Sequence, residues 1–68
     1  MSFILICRED IKEKIEKLHF IEKITKERGF NIDNIVALPL AQWAGKVDEV
    51  FIVPHGSAEA PYRVDIEA

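Results

Sequence analysis

Phe3-Ile4-Leu5-Ile6-Cys7 is followed by a charged segment over residues 9–28 and then by a second apolar stretch over residues 35–40. The first stretch is continuously apolar and rich in strand-forming residues, which predicts a strand that is central in a sheet or covered on both faces. Residues 35–40 predict a second strand. Because proline cannot donate to a sheet ladder, Pro39 either ends this strand or lies at an edge of the sheet.

The charged segment has the periodicity of an amphipathic helix. Gly29 follows it and predicts a helix stop, because glycine readily adopts the left-handed conformation that ends helices. Phe20 lies outside the apolar stripe, and three interpretations remain open. A bent or broadly covered helix buries Phe20, the helix breaks near His19, or Phe20 belongs to a second apolar surface that binds a partner. The stripe itself consists of Ile11, Ile15, Leu18, Ile21 and Thr25.

Two further strands are predicted in the second half of the chain. Residues 47–53 end in a continuous apolar run, and Pro54-His55-Gly56-Ser57 predicts a turn. Apolar and charged residues then alternate, which is typical of an edge strand with one solvated face. We therefore expect a single α+β domain over residues 1–68. It is a two-layer sandwich in which one long helix packs on a three- or four-stranded mixed sheet, in the order βαβββ. The alternating residues are Tyr62, Arg63, Val64, Asp65, Ile66 and Glu67.

The direction of the chain separates the two side chains best suited to nucleophilic chemistry. A right-handed crossover makes the first two strands parallel, and short connections make the third strand antiparallel to the second. Cys7 then lies at the same end of the sheet as residues 41–46, whereas His55 lies at the opposite end, near Gly29. A cysteine–histidine pair must be within hydrogen-bond reach, so we do not expect Cys7 and His55 to form one.

Composition restricts the classes of partner and the location. The net charge is −3, and the basic residues between positions 8 and 28 alternate with acids, which is typical of a solvated helix face and not of a nucleic-acid interface. A single cysteine excludes an intrachain disulfide. No stretch approaches the roughly 20 apolar residues that cross a bilayer. We therefore expect a cytoplasmic protein with neither a nucleic-acid partner nor a membrane partner.

Three residues are candidates for binding, namely Trp43, Phe20 and His55. Trp43 lies among small residues in a connection, where its ring either covers the end of the core or is an exposed anchor for a partner. Phe20 is a candidate because it lies off the stripe, and His55 because it lies in a turn. The histidines, the cysteine and the acids match no zinc or calcium spacing, and no glycine-rich phosphate loop is present. We expect neither a metal nor a cofactor.

The segment Lys26-Glu27-Arg28-Gly29-Phe30-Asn31-Ile32-Asp33-Asn34-Ile35 resembles part of the ACT-type regulatory domains. In that family a helix stops at glycine, and an apolar-Asn-Ile turn leads into the second strand. The resemblance covers about half of the chain at most, from the helix to residue 53. It implies a regulatory domain that binds an amino acid at a dimer interface.

The leading hypothesis is a non-enzymatic interaction or regulatory module that binds another protein or itself. A chain of this size buries only about 60% of the surface of its unfolded form, and its core supplies no more than about 3 to 5 kcal/mol of net stability. We therefore expect self-association, through a sheet edge or a helix flank. The alternative is an ACT-like small-ligand sensor with its pocket at a dimer interface. A further alternative is an enzyme with an unrecognised site around Cys7 or His55.

Overall fold

Four strands form one mixed sheet in the computed structural model, which describes residues 2–56 and 60–66. They are β1 (Ser2–Arg8), β2 (Asn31–Leu38), β3 (Glu49–Pro54) and β4 (Tyr62–Asp65), and their order across the sheet is β2-β1-β3-β4. β1 pairs in parallel with β2 and antiparallel with β3, and β4 is antiparallel to β3. The predicted α+β class and mixed sheet are confirmed. Ser57 of the predicted turn and Glu67 of the predicted last strand lie outside the described residues.

The charged segment forms two helices, so the prediction of one long helix is wrong. α1 spans Lys12–Lys17 and α2 spans Phe20–Arg28. Between them His19 has a φ of 51° and a ψ of 40°, which is left-handed backbone. The chain therefore turns between the helices, and the element order is one strand, two helices and three strands instead of βαβββ.

The break at His19 has a physical reason in the apolar pattern. In a continuous helix, apolar residues that follow one another in steps of three rotate steadily away from the core. The break resets this rotation, so that Phe20 is 4% exposed and Ile24 is 3% exposed. Leu18, just before the break, is left 47% exposed. Of the three interpretations of Phe20, the helix break near His19 is the one that the structure shows.

The helix stop at Gly29 is confirmed. Gly29 has a φ of 71°, and its N–H donates to the Thr25 carbonyl oxygen at 3.1 Å. Phe30 then turns back onto the sheet, with its ring centroid 4.6 Å from that of Phe3 and 5.0 Å from that of Tyr62. This contact fixes the point at which the chain enters β2.

Both helices pack on one face of the sheet. Alternate residues of β1 and β3 point to that face, because successive side chains of a strand point to opposite sides. They form one apolar cluster with the inward side chains of the helices and of β4. The opposite face of the sheet therefore has neither α1 nor α2 against it. The cluster consists of Phe3, Leu5, Cys7, Ile11, Ile15, Phe20, Ile24, Val50, Ile52, Val64 and Ile66.

The left-handed backbone at His19 leads to a stability prediction. An L-residue in this conformation costs roughly 1 to 2 kcal/mol relative to glycine, which is partly offset by the greater flexibility of glycine in the unfolded chain. We expect His19→Gly to raise the free energy of unfolding by up to about 1 kcal/mol, as measured by urea denaturation. His19→Val, with a β-branched side chain at the same position, is expected to lower it. Equal stability of the two variants would contradict the left-handed turn.

Candidate functional site

The sheet face opposite the helices carries an apolar surface, which we call the open face. Its members alternate along their strands with the core residues, and all are partly exposed. Val36 has 37% of its surface exposed. Apolar side chains on both sides of a sheet are typical of a sheet that is covered on both sides, whereas the described helices cover only one. The open face consists of Ile4, Ile6, Val36, Leu38, Phe51 and Val53.

The centre of the open face is a block of two cross-strand pairs. Ile4 is opposite Val53, and Ile6 is opposite Phe51. Both pairs bridge β1 and β3, the two central strands of the sheet. Directly opposite side chains in an antiparallel pair lie about 4.5 to 5.5 Å apart at Cβ. The block is therefore a continuous apolar surface in the middle of the sheet.

Trp43 covers one side of this block. It follows a short 3-10 helix, Leu40–Gln42, in the connection from β2 to β3. Its ring stacks on Phe51 with a centroid separation of 4.9 Å and an interplanar angle of 28°. Its indole N–H donates to the Lys46 carbonyl oxygen at 2.8 Å. Trp43 is half-buried, so the ring covers Phe51 on the open face and still presents part of its surface to solvent.

An ion pair between a buried carboxylate and an exposed guanidinium lies under the same connection. Glu49 is 6% exposed, and its Oε1 accepts hydrogen bonds from Arg63 Nη2 at 3.1 Å and Nε at 3.3 Å. The Arg63 guanidinium also lies 5.6 Å from the centroid of the Phe51 ring. A Cβ atom on Gly45 would approach Glu49 Oε1 to 2.7 Å. The connection therefore rests directly on the sheet, and a side chain at position 45 would force one of these neighbours to move.

A shallow cleft borders the open face on the side of β4. Its volume is about 450 Å³, and an aromatic ring and a guanidinium contribute to its walls. Ligand pockets in proteins commonly have volumes of about 300 to 1,000 Å³. The cleft is therefore large enough for a small organic molecule. Its lining residues are Ala44, Phe51, Ala60, Pro61 and Arg63.

Cys7 and His55 lie at opposite ends of the sheet, as the chain direction predicts. The His55 N–H donates to the Ser2 carbonyl oxygen at 2.9 Å, at the start of β1, whereas Cys7 pairs with Ala37 near the end of that strand. Five residues of extended strand separate these positions by about 16 Å. His55 is exposed and Cys7 is fully buried. The two side chains therefore do not form a nucleophile pair.

Cys7 also lies on the other side of the sheet from Trp43. Its side chain belongs to the core cluster under the helices, whereas Trp43 stacks on the open face. Burial raises the pKa of the Cys7 thiol, and Asp10 adds to this effect while Lys12 opposes it. A raised pKa keeps the thiol in its protonated, weakly nucleophilic form at neutral pH. Cys7 thus acts as a small core residue in this structure.

The buried thiol leads to a pH prediction. Above about pH 8.5 the thiol of the unfolded chain loses its proton, whereas the folded chain retains it. Since the unfolded state then binds fewer protons, the free energy of unfolding falls with rising pH, by up to about 1.4 kcal/mol per pH unit. We expect this fall in urea denaturation between about pH 8.5 and 9.5, and a flatter profile for Cys7→Ala. If the free energy of unfolding fell with the same slope in both proteins, the prediction would be contradicted.

The edge strand β2 is interrupted by an irregularity that the sequence did not indicate. The pairing with β1 shifts register between Phe3, opposite Ile32, and Ile4, opposite Asn34. Asp33 is left without a place in the ladder, and the Asn34 side-chain oxygen accepts the Ile35 N–H at 2.9 Å. A bulge and a charged side chain are features by which proteins make an edge strand a poor template for another strand.

Of the three predicted binding residues, the structure brings none together. Trp43 lies on the open face, Phe20 is in the core, and His55 is in a turn at the other end of the sheet. Sequence reasoning missed Ile4, Ile6 and the rest of the open face. The signal was present, because uninterrupted apolar strands require cover on both faces and a single helical segment covers only one.

Metal sites and membrane-spanning helices are two further features to consider in the part of the chain that the structure describes. Within residues 2–56 and 60–66, no three His, Cys, Asp or Glu side chains are grouped so that they could hold a metal ion. The helices over the same residues are too short and too polar to cross a membrane. No protein-family model matches the chain, and neither the curated proteins nor the solved structures with which it was compared include a match.

Proposed function

We propose that this chain is a non-enzymatic protein-interaction module, with a regulatory role, and that it binds its partner through the open face. The observation that carries this proposal is the central block of Ile4, Ile6, Phe51 and Val53, which faces away from both helices. Monomeric proteins rarely leave large continuous apolar patches uncovered, and such patches mark interaction sites. Trp43 and Arg63 border the block, and these residue types are enriched among those that dominate binding energy.

The proposed interaction surface differs from the surfaces that the sequence favours. Phe20 is no part of it, because its side chain is in the core. His55 is exposed but lies at the end of the sheet, outside the open face. The proposed location is the cytoplasm, because the only cysteine of the chain is a buried free thiol, and reduced thiols are the rule in that compartment.

The test compares two lysine substitutions at exposed apolar residues. Val36 is on the open face and is 37% exposed, whereas Leu18 is on the helix side and is 47% exposed. The unmodified chain, Val36→Lys and Leu18→Lys are immobilised, and the proteins that each retains from an extract of the source cells are compared. We expect Val36→Lys alone to lose the partner. A partner that Val36→Lys retains, or that Leu18→Lys loses, would contradict the proposal.

A small-ligand sensor is the second candidate, and the cleft beside the open face favours it. Its lining combines the Phe51 ring with the Arg63 guanidinium, which suits a ligand with an apolar part and an anionic part. Trp43 is the only tryptophan of the chain and stacks on Phe51, so its fluorescence reports on this region. A saturable change of emission with a set of amino acids and other small carboxylates would support the sensor. The absence of any change at millimolar ligand would oppose it.

A further inference from the structure

We infer that the partner on the open face is a second copy of this chain, packed sheet against sheet about a two-fold axis. This inference rests on the proposed function and names its partner. Two-fold dimers are the commonest assemblies of identical chains, and in them the same patch of each subunit contacts itself. Two packed sheets lie about 10 Å apart, with their inner side chains interdigitated. The product is a four-layer dimer, with helices outside and two sheets inside.

The arrangement of the open face suits self-contact. Its apolar block lies on β1 and β3, the two middle strands of the sheet. A two-fold axis that passes over Ile4, Ile6 and Val53 brings these side chains of one copy onto those of the other, while Trp43, which covers Phe51, lies at the border of the contact. Apolar side chains then meet apolar side chains across the whole centre.

The available area is sufficient for a dimer. The molecule measures 29 by 26 by 19 Å along its principal axes. An elliptical outline with the two longer dimensions has an area of about 600 Å², so a pair would bury at most about 1,200 Å², close to the roughly 1,000 Å² that specific interfaces require. Because buried area does not determine affinity, the dissociation constant has to be measured over a wide range of concentration.

The charges on this side of the sheet largely cancel within each copy. Arg8 donates to Asp10 through Nε at 2.9 Å and through Nη2 at 2.6 Å, and Arg63 pairs with Glu49 at 3.1 Å. Asp65, at the end of the edge strand β4, is a further acid whose side chain points to this face. Two copies can therefore approach through their open faces with little of the repulsion that a net charge of −3 on each chain would cause.

Two other surfaces for self-association are less suitable. The bulge at Asp33 and the hydrogen bond from Ile35 to Asn34 interrupt the edge of β2. On the helix side, Leu18 is the one large apolar residue with substantial exposure among the described residues of the helical segment. A single apolar side chain on a surface is ordinary and indicates no interface. The open face is thus favoured over the β2 edge of the sheet and over the helix flank.

Sedimentation equilibrium between about 1 µM and 1 mM tests the inference. We expect a reversible monomer–dimer equilibrium for the unmodified chain. Ile6→Lys and Val36→Lys place a charge in the interface, and each is expected to raise the dissociation constant at least about 100-fold. Leu18→Lys is the matched control, with the dissociation constant unchanged. Circular dichroism checks folding, and the exposed position of Val36 keeps the test valid if Ile6→Lys fails to fold.

Two outcomes would overturn the inference, and they bear differently on the proposed function. A chain that stays monomeric at the highest concentration removes the second copy as partner. If Val36→Lys then still loses a captured protein, the open face remains an interaction surface for that other protein. A dimer that Val36→Lys leaves intact forms elsewhere, and such a result overturns the inference.

Discussion

Phe20→Ala is expected to lower the free energy of unfolding by about 3 to 5 kcal/mol. The ring is 4% exposed and packs in the core with Ile24 and the residues of β1 and β4. Its removal deletes buried apolar surface and leaves a cavity. Because a domain of this size has a net stability of only about 3 to 5 kcal/mol, we expect the variant to be largely unfolded at 25 °C. Urea denaturation followed by far-ultraviolet circular dichroism measures the loss.

The matched control is Leu18→Ala, two residues earlier in the same helical segment. Leu18 is 47% exposed, so its truncation is expected to change stability by less than about 1 kcal/mol. This pair separates a core role for Phe20 from a role in binding a partner. A Phe20→Ala chain that folds as stably as Leu18→Ala, and loses only self-association, would contradict the burial of the ring.

Gly45→Ala is expected to have the second-largest effect, with a loss of about 1 to 3 kcal/mol. The added methyl group would lie 2.7 Å from Glu49 Oε1, 3.0 Å from Phe51 Cζ and 3.2 Å from Trp43 Cζ2. Glu49 is buried and held by Arg63, and Phe51 belongs to the sheet, so Trp43 is the neighbour most free to move. We therefore expect Gly45→Ala to displace Trp43 from Phe51 and to weaken self-association as well.

Fluorescence of Trp43 distinguishes this displacement from a general loss of stability. Gly29→Ala is the control, because a Cβ atom there meets nothing within 4 Å and the cost arises only from the φ of 71°. Both variants are expected to lose stability, but only Gly45→Ala should shift the Trp43 emission of the folded protein to longer wavelength. An unshifted spectrum for Gly45→Ala would mean that the connection does not rest on the sheet as described.

The existence of the strands was predictable because each rests on a local pattern, although β2 spans Asn31–Leu38 and not the expected residues 35–40. Continuous apolar runs indicated β1 and β3, alternation indicated β4, and the proline at position 39 marked the end of β2. The positions of Cys7 and His55 at opposite ends of the sheet were predictable from the direction of the chain alone. These features depend on neighbours in the sequence or on rules of handedness, and both can be read without coordinates.

The helix break and the open face were harder to predict for different physical reasons. Charged residues continue through His19, so only the drift of the apolar stripe indicated a break there. The left-handed turn is stabilised by the burial of Phe20 and Ile24, which depends on tertiary packing. Trp43 was predictable as a covering ring or an anchor, but its stacking on Phe51 depends on which face of the sheet the connection follows. The sequence pattern does not specify that face.

The central claim is that two copies meet through their open faces, and contacts measured between copies test it most directly. In a mixed sample of isotopically labelled and unlabelled chains, filtered nuclear Overhauser spectra detect only protons close together in different subunits. We expect such signals from the methyl groups of Ile4, Ile6, Val36 and Val53. Signals confined to Leu18, the other helix residues or the outer edge of β2 would contradict the account, as would the absence of intermolecular signals at millimolar concentration.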